Sequence, residues 1–247
     1  MDVIGIIPAR YGSTRFEGKV LADISGKPMI QWVWEAAIKA KILDDVIVAC
    51  DDKRVEEAVR SFGGKAVFTS TEHPSGSDRI CEIVNPLDVK VIVNIQADEP
   101  LIDAVMLENV ARPLLEDHSL SMATLMKKID DPREITDPNV VKVIADKSGM
   151  ALYFSRSVIP YQRDKSADVA YYKHIGIYAY SKDFLFIFKN LPESNLEKIE
   201  KLEQLRVLEA GFRIKVIETK ITTIGVDTPE DLEKVKKIIQ AKSASGA

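Results

Sequence analysis

Apolar residues in the first hundred positions fall into short runs, separated by segments with the apolar spacing of helices. The runs predict strands at residues 3–8, 45–50, 66–70 and 89–96. Helix patterns cover residues 28–41 and 75–84, and another helix follows Asp51 and Asp52, either of which can cap it. Alternating strands and helices predict a mostly parallel sheet with helices on both faces. We therefore expect an α/β fold.

The pattern changes after residue 120. Predicted strands cover residues 121–128, 140–145, 151–154 and 172–180. Little helix separates them, which predicts an antiparallel lobe inserted at roughly residues 120–190 of a single domain spanning 1–247. Helical character returns at 194–210 and a strand follows near 213–218. The last helix is predicted to begin after a cap at Thr228, with Pro229 in its first turn.

Composition narrows the class of protein. The chain has 247 residues, of which 46% are hydrophobic and 29% charged, and its net charge is −4. These values are typical of a globular protein and give no electrostatic support for nucleic-acid binding. Cys50 and Cys81 lie in apolar settings without the spacing of a zinc site. No apolar run approaches the ~20 residues of a membrane span, and the amino-terminal strand does not resemble a signal peptide. We expect a cytoplasmic protein without membrane or nucleic-acid partners.

A basic loop with glycines directly follows the first predicted strand. It contains Gly12 and Gly18 and carries Arg10, Arg15 and Lys19. Backbone N–H groups and cations at the end of a strand are typical of phosphate sites in α/β proteins. The spacing matches neither a Walker A loop nor G-x-G-x-x-G. Three cations favour a highly charged ligand such as a nucleoside triphosphate, although they would equally suit a solvated surface loop.

Two carboxylates are candidates for a magnesium site. Asp98 follows the predicted strand 89–96, and Asp227 lies between an apolar run and the last helix. Ligands of parallel sheets bind at the carboxyl ends of the strands. Mg²⁺ on a polyphosphate typically takes one or two carboxylates together with phosphate oxygens and water. Either aspartate could instead cap the turn or helix that follows it.

The segment 73–79 could contact a phosphate or a base. Ser75, Gly76 and Ser77 open a predicted helix, whose free N–H groups can meet an anion or the edge of a base. An ordinary helix cap with a surface ion pair at Asp78 and Arg79 is the alternative interpretation.

The predicted strand 172–180 has one polar aromatic face. Its period of two places these residues together: Tyr172, His174, Gly176, Tyr178 and Tyr180. Such a face suits a hydroxylated, anionic small molecule, and the guanidinium of Arg156 could bind its carboxylate. The same face could instead pack against a helix or a second subunit.

Seven segments, taken together and in order, resemble one enzyme family. They are IIPARYGSTRFEGK, HPSGSDR, NIQADEP, ALYFSRSVIPY, YKHIGIYAY, EKLEQLRVLEAG and GVDTPEDL. Over nearly the whole chain they resemble the 3-deoxy-manno-octulosonate (Kdo) cytidylyltransferases, or CMP-Kdo synthetases. The resemblance implies a Rossmann-like nucleotidyltransferase fold, a homodimer, Mg²⁺, and the reaction CTP + Kdo → CMP-Kdo + diphosphate for lipopolysaccharide biosynthesis.

The resemblance also implies roles for individual residues. Catalytic roles fall to Lys19, Asp98, Asp227 and Arg10, with Asp98 and Asp227 as the metal ligands. The nucleotide would be bound by Ala9, Arg10, Arg15, Lys19, Ser75 and Arg79. The sugar would be bound by Gln96, Arg156, His174, Tyr178, Glu203 and Gln204. Two alternatives remain: CMP transfer to another acid sugar, such as a sialic acid, and a non-catalytic nucleotide-binding regulator.

Two departures from the family pattern lie close to these residues. Phe16 and Glu17 stand where the family usually has Leu-Pro, and Ala97 stands where it usually has glycine. Phe16 is expected to keep an apolar contact, whereas Glu17 adds an anion beside the phosphate loop. Ala97 is compatible with the fold where its φ is negative.

Overall fold

The computed structural model describes residues 1–12, 16–73, 76–164, 166 and 168–245, with side chains up to residue 241. The strands within these residues are β1 (Val3–Ala9), β2 (Asp23–Ile24), β3 (Lys27–Pro28), β4 (Asp45–Cys50), β5 (Lys65–Phe68), β6 (Val91–Asn94), β7 (Met122–Lys128), β8 (Lys142–Ala145), β9 (Ala151–Ser155), β10 (Tyr172–Ser181) and β11 (Lys215–Glu218). The short strands β2 and β3 were not predicted, and the other strands correspond to predicted runs with ends shifted by up to two residues.

The helices flank this sheet. They are α1 (Met29–Ala37), α2 (Lys53–Ser61), α3 (Gly76–Val84), α4 (Ala104–Glu116), α5 (Pro132–Thr136), α6 (Lys182–Asn190), α7 (Asn195–Glu200), α8 (Gln204–Glu209) and α9 (Pro229–Ser245), with a short 3₁₀ helix at Lys19–Leu21. Over the part of the chain that the structure describes, none of them is long and apolar enough to cross a membrane.

The main sheet is mixed but mostly parallel. Its strands lie in the order β11-β7-β10-β6-β1-β4-β5. Strand β10 runs antiparallel to both β6 and β7, and the other neighbours in this row are parallel. Strands β8 and β9 form an antiparallel pair that joins the sheet beside β10. The prediction of an α/β fold with a mostly parallel sheet and antiparallel strands in the second half is confirmed, although β11 pairs parallel with β7.

The two faces of β1 show how the core is built. Val3, Ile7 and Ala9 pack on one side into the apolar cluster beneath α1, α2 and α4. Ile4 and Ile6 point to the other side, into the cluster beneath α3, α6 and α8. All five side chains are fully buried. A strand buried on both faces needs this continuous apolar run, and that is why its sequence lacks alternation.

A third apolar cluster attaches the last helix to the edge of the sheet where the parallel strands have their carboxyl ends. Leu232 and Val235 of α9 pack with Ile24, Leu101 and Val226. The backbone N–H of Val226 also donates to the carbonyl of Asp98, at 2.8 Å. This packing brings the far end of the chain next to the end of β6.

The helices differ from the predicted pattern in several places. Helices α4, α5 and α6 were not predicted. Helix α1 is shorter than the predicted 28–41, and Pro28 occupies its N-cap. The predicted helical stretch 194–210 divides into α7 and α8, because Lys201 adopts a left-handed backbone with φ of 53°. A left-handed residue ends the hydrogen-bond pattern of a helix. The predicted cap of α9 is confirmed, since the Thr228 hydroxyl accepts from the Asp231 backbone N–H at 3.3 Å.

Candidate active site

A backbone hydrogen bond joins two described residues of the basic loop, one near its start and one directly before Lys19. The backbone N–H of Gly18 donates to the carbonyl of Tyr11 at 3.0 Å. Gly18 has φ of 67°, and a Cβ added there would lie 2.9 Å from the Tyr11 ring, so the position requires glycine. Arg10 is exposed, one residue beyond the buried end of β1. Arg15 lies outside the described residues.

Lys19, Asp98 and Asp227 form one ionic cluster. The Lys19 Nζ lies 2.5 Å from Asp98 Oδ2 and 3.0 Å from Asp227 Oδ1, and it also donates to the carbonyl of Val226 at 3.1 Å. Burial lowers the pKa of Lys19, but the two carboxylates outweigh it and the net shift is upward. The three residues predicted from separate segments are therefore brought together, and one cation is held between two anions.

The cluster fits a magnesium ion. Its two carboxylates already enclose a positive group, the Lys19 ammonium. Among the described residues there is no group of three His, Cys, Asp or Glu side chains suited to a metal. Mg²⁺ needs only one or two carboxylates when phosphate oxygens and water supply the remaining ligands. Asp98 and Asp227 thus suit a cation that arrives with a polyphosphate.

A third acid, Glu99, lies behind the cluster. Its Oε2 is buried and has no hydrogen-bond partner among the described residues. Burial raises the pKa of Glu99 to about 7, a hydrogen bond with Thr223 opposes the rise, and the charges of Asp98 and Asp227 add to it. The shift comes mainly from burial, and the two neighbouring carboxylates make a smaller contribution.

A cavity of about 400 Å³ opens beside the ends of β1 and β6. Its polar lining consists of Ser77, Asn94, Gln96, His174, Tyr178, Tyr180, Lys201, Glu203 and Gln204. Gly176 also lines it and, within 4 Å, a Cβ added there would meet nothing. The prediction that alternate residues of β10 form one polar aromatic face is confirmed for four of the five, because Tyr172 is not among the lining residues.

His174 is neutral in this cavity. Burial alone lowers its pKa to about 3. Its Nε2 lies 3.0 Å from the hydroxyl oxygen of Thr124, which is also within reach of the carbonyls of Ile175 and Ile177, at 3.1 and 2.9 Å. A threonine hydroxyl has one proton, and when a carbonyl receives it the oxygen accepts from Nε2–H. This assignment leaves Nδ1 as the ring's hydrogen-bond acceptor.

Arg156 lies outside the described lining of the cavity. Its Nε donates to the carbonyl of Glu200 at 2.6 Å, and its Nη1 donates to the carbonyl of Pro138 at 2.9 Å. The cationic residue within that lining is Lys201. Arg156 is therefore anchored to the segment that leads into the cavity, and its contact with a sugar carboxylate stays a prediction.

Arg79 is buried rather than exposed. Its side chain is 5% exposed, and Nη2 lies 2.7 Å from Asp51 Oδ2 while Nη1 donates to the hydroxyl of Thr69. The alternative of a surface ion pair in the first turn of α3 is wrong for this residue. Ser75 lies outside the described residues, and the neighbouring Gly76 and Ser77 line the cavity.

The departures from the family pattern are accommodated. Phe16 packs against the apolar cluster beneath α9. Ala97 is 6% exposed and is not among the residues with positive φ, so its methyl group meets no backbone restriction.

Several lining residues were not predicted. Asn94 and Lys201 line the cavity without having been assigned a role. A signal existed for Asn94, which is a polar residue within the apolar run of β6. No sequence signal indicated Lys201, because its position in the cavity lining depends on the break between α7 and α8.

Comparisons with known proteins agree on one family. A sequence model described as Cytidylyltransferase matches residues 4–221. The 3-deoxy-manno-octulosonate cytidylyltransferase of Solibacter usitatus is 50% identical over 244 residues, which cover 99% of this chain and 97% of the relative. The protein of the same name from Geotalea uraniireducens is 52% identical over 245 residues, with 95% and 98% covered.

A solved structure has the same fold. It is described as CMP:2-keto-3-deoxy-manno-octonic acid synthetase complexed with CTP, and its TM-score is 0.93 at 44% identity. The match covers 98% of this chain and 100% of the other. The chain therefore belongs to the 3-deoxy-manno-octulosonate cytidylyltransferase family and is a nucleotidyltransferase.

Proposed function

We propose that this chain transfers CMP from CTP to Kdo and releases diphosphate. The observation that carries the proposal is the ionic cluster of Lys19, Asp98 and Asp227 beside a polar cavity of about 400 Å³. The proposed site for the phosphates and the metal thus lies next to a pocket whose side chains can form hydrogen bonds with a polyhydroxylated molecule. Relatives at about half identity over nearly the full length carry the name of this activity.

The reaction joins an anomeric hydroxyl of the sugar to the α-phosphorus of CTP. The hydroxyl oxygen forms the new bond, the bond to the β-phosphate oxygen breaks, and the hydroxyl proton leaves to solvent or a nearby base. Such a reaction depends on positioning and on neutralising phosphate charge. We propose that Lys19, Arg10 and Arg15 bind the phosphates, and that Ala9, Ser75 and Arg79 form the base site.

Mg²⁺ is the proposed cofactor, held by Asp98 and Asp227. When bound, it would neutralise phosphate charge and lower the pKa of the attacking hydroxyl. The protein's own contribution is to keep two carboxylates within reach of one cation, as the contacts of Lys19 illustrate.

The cavity is the proposed sugar site. Gln96, Tyr178, Glu203 and Gln204 offer donors and acceptors to hydroxyl groups. Because His174 is neutral at physiological pH, it orients the sugar through a hydrogen bond rather than binding the carboxylate by charge. The carboxylate is assigned to Arg156.

One assay tests the reaction. Purified protein is incubated with CTP and Mg²⁺, together with Kdo, a sialic acid or no sugar, and diphosphate is measured. We expect release with Kdo only. Release with the sialic acid alone would favour the other acid sugar. CTP binding without release with either sugar would favour the nucleotide-binding regulator. A homodimer and a cytoplasmic location are also proposed from the family resemblance.

A further inference from the structure

Three neighbouring strands end at the same level, and the residue after each one is polar. Ala9, Cys50 and Phe68 are in register across β1, β4 and β5. The residues that follow them, Arg10, Asp51 and Thr69, therefore lie at neighbouring positions where the parallel strands have their carboxyl ends. Two of them, Asp51 and Thr69, take part in a buried hydrogen-bond network that the reaction itself does not require.

Asp51 joins the basic loop to α3. Its Oδ1 accepts from the backbone N–H of Tyr11 at 3.2 Å, and its Oδ2 accepts from Arg79 Nη2 at 2.7 Å. The Asp51 side chain is 15% exposed, and that of Arg79 is 5% exposed. One carboxylate thus contacts both the segment assigned to the phosphates and the segment assigned to the base.

Arg79 is held from both sides. Besides Asp51, its guanidinium donates to the hydroxyl of Thr69, which itself donates to the carbonyl of Cys50 at 3.0 Å. A buried cation needs such partners, since an unpaired charge in the interior is costly. Without the Asp51 charge, Arg79 would have to move towards water or towards another anion, and the start of α3 would move with it.

We propose that Asp51 is a positioning residue that holds the phosphate loop and the base-binding start of α3 in fixed relative places. CTP contacts both segments, so its affinity depends on their spacing, whereas Kdo binding depends on the β10 face. The inference rests on the proposed function, because it takes CTP as the ligand of these two segments.

Asp51→Asn is the direct test. Tyr11 and Arg79 donate to different oxygens of Asp51, and in asparagine one of these two oxygens is replaced by an NH₂ group, so one donor would lose its acceptor and face another donor. We expect CTP affinity, measured by calorimetry without sugar, to fall at least tenfold. The KM for Kdo should change much less and stay within about threefold of the wild-type value, because most of the cavity lining lies on β10 and on residues 201–204, and only Gly76 and Ser77 belong to α3.

Asp44→Asn is the matched control. Asp44 makes the same kind of link at the opposite edge of the same strands, where its Oδ2 accepts from the backbone N–H groups of Asp2 and Val3, at 2.6 and 3.1 Å. Both bonds use one oxygen, so asparagine can keep them but loses the charge that strengthens them, and we expect a modestly lower melting temperature with unchanged CTP affinity. A general loss of stability is thereby separated from a loss of positioning.

Thr69→Val provides a second route to the same network. It removes the hydroxyl that accepts from Arg79 and leaves Asp51 in place. We expect a selective loss of CTP affinity, smaller than that of Asp51→Asn, and non-additive when the two changes are combined. If Asp51→Asn does not fold, Thr69→Val decides the question alone.

Wild-type CTP affinity in either folded variant, Asp51→Asn or Thr69→Val, would overturn the proposal. An equal loss for CTP and Kdo would do so as well, because it would indicate a general disturbance. A wild-type protein that binds CTP but releases no diphosphate with Kdo would instead contradict the proposed function and leave this comparison valid.

Discussion

At the scale of single residues, the ionic cluster carries one positive and two negative charges. Lys19 alone cannot neutralise Asp98 and Asp227, so the cluster keeps a net negative charge that favours a further cation. Replacing Asp98 with asparagine removes this excess. We expect Asp98→Asn to lose at least a factor of about 10² to 10³ in turnover, as when an electrostatic contact to a transition state is lost.

The measurement is the rate of diphosphate release at saturating Mg²⁺, together with the far-ultraviolet circular dichroism of the variant. Asp103→Asn is the control, because Asp103 caps α4 only a few residues away, and asparagine is an equally good cap. A near-normal rate for Asp98→Asn would remove this residue from the mechanism.

The buried His174 predicts how the free energy of unfolding depends on pH. Its pKa is about 3 in the folded protein, against an ordinary value of 6.5. Between these values the unfolded chain binds the additional proton, so the free energy of unfolding falls as pH decreases below 6.5, by up to about 1.4 kcal/mol per pH unit. The stability that comes from keeping the imidazole neutral is present above 6.5 and lost below it.

We expect His174→Gln to lack this contribution. Urea unfolding at about pH 7 and about pH 5.5 should show a shallower loss of stability in the variant than in the wild type. His118→Gln, at an exposed position on the loop after α4, serves as the control and should keep the wild-type slope. Equal slopes for wild type and His174→Gln would contradict the buried, neutral histidine.

The sequence predicted some individual residues better than others. Asp98 and Asp227 could be predicted because each follows an apolar run, and Lys19 because it belongs to the basic loop after the first strand, since parallel strands end at one edge. The contacts of Arg156 and Asp51 could not be predicted in this way. They depend on the direction of a side chain beyond a strand end, and neither periodicity nor composition determines that direction.

At the scale of elements, α9 determines where Asp227 lies. Val235 of α9 is fully buried in the cluster that also contains Val226, the residue before Asp227. Val235→Ala should lower the free energy of unfolding by about 2 kcal/mol, from lost burial and the space left behind. Because the cluster holds the Asp227 segment, the Mg²⁺ concentration for half-maximal activity should also rise.

Thermal unfolding and a magnesium titration of activity test this prediction. Val105→Ala is the comparison, since Val105 is 50% exposed on α4 and its truncation should change neither quantity. A Val235→Ala variant with lower stability but an unchanged magnesium requirement would show that α9 supports the fold without positioning Asp227.

The bounds of an element were predicted most accurately where the burial of apolar side chains determines them. The run of β4 matches its predicted bounds, 45–50, because a buried strand is defined by its apolar residues. The break at Lys201 was not predicted, since lysine is a good helix former and nothing in its neighbours requires a left-handed backbone. The left-handed conformation of Lys201 follows from tertiary packing, and it places this residue in the lining of the cavity.

At the scale of the whole molecule, the two halves of the chain meet at β10. This strand is antiparallel to β6, which leads to Asp98, and its face lines the proposed sugar cavity. The parallel half therefore supplies the proposed nucleotide site, and the antiparallel half supplies most of the proposed sugar site. A single edge of one sheet serves both substrates, which brings the attacking hydroxyl and the phosphate together.

The proposed homodimer gives the last prediction. Three large apolar side chains are exposed on β9, on the loop after it and on α7: Leu152 at 58%, Tyr161 at 86% and Ile199 at 78%. The hydrogen bond from the Ser155 hydroxyl to Glu200, at 2.7 Å, joins the ends of β9 and α7, and Tyr161 follows six residues after Ser155. We propose that these side chains belong to one contiguous apolar surface, which is the kind of surface that marks an interface. We expect light scattering to give about 55 kDa, twice the chain mass of 27.5 kDa.

Tyr161→Asp should shift this mass towards that of the monomer, because a buried, unpaired carboxylate would oppose association. Ile38→Asp is the matched control, since Ile38 is 51% exposed at the end of α1, away from these segments. The control should remain dimeric. A wild-type protein that is monomeric at all concentrations would contradict the homodimer, and a dimeric Tyr161→Asp variant would place the interface elsewhere on the molecule.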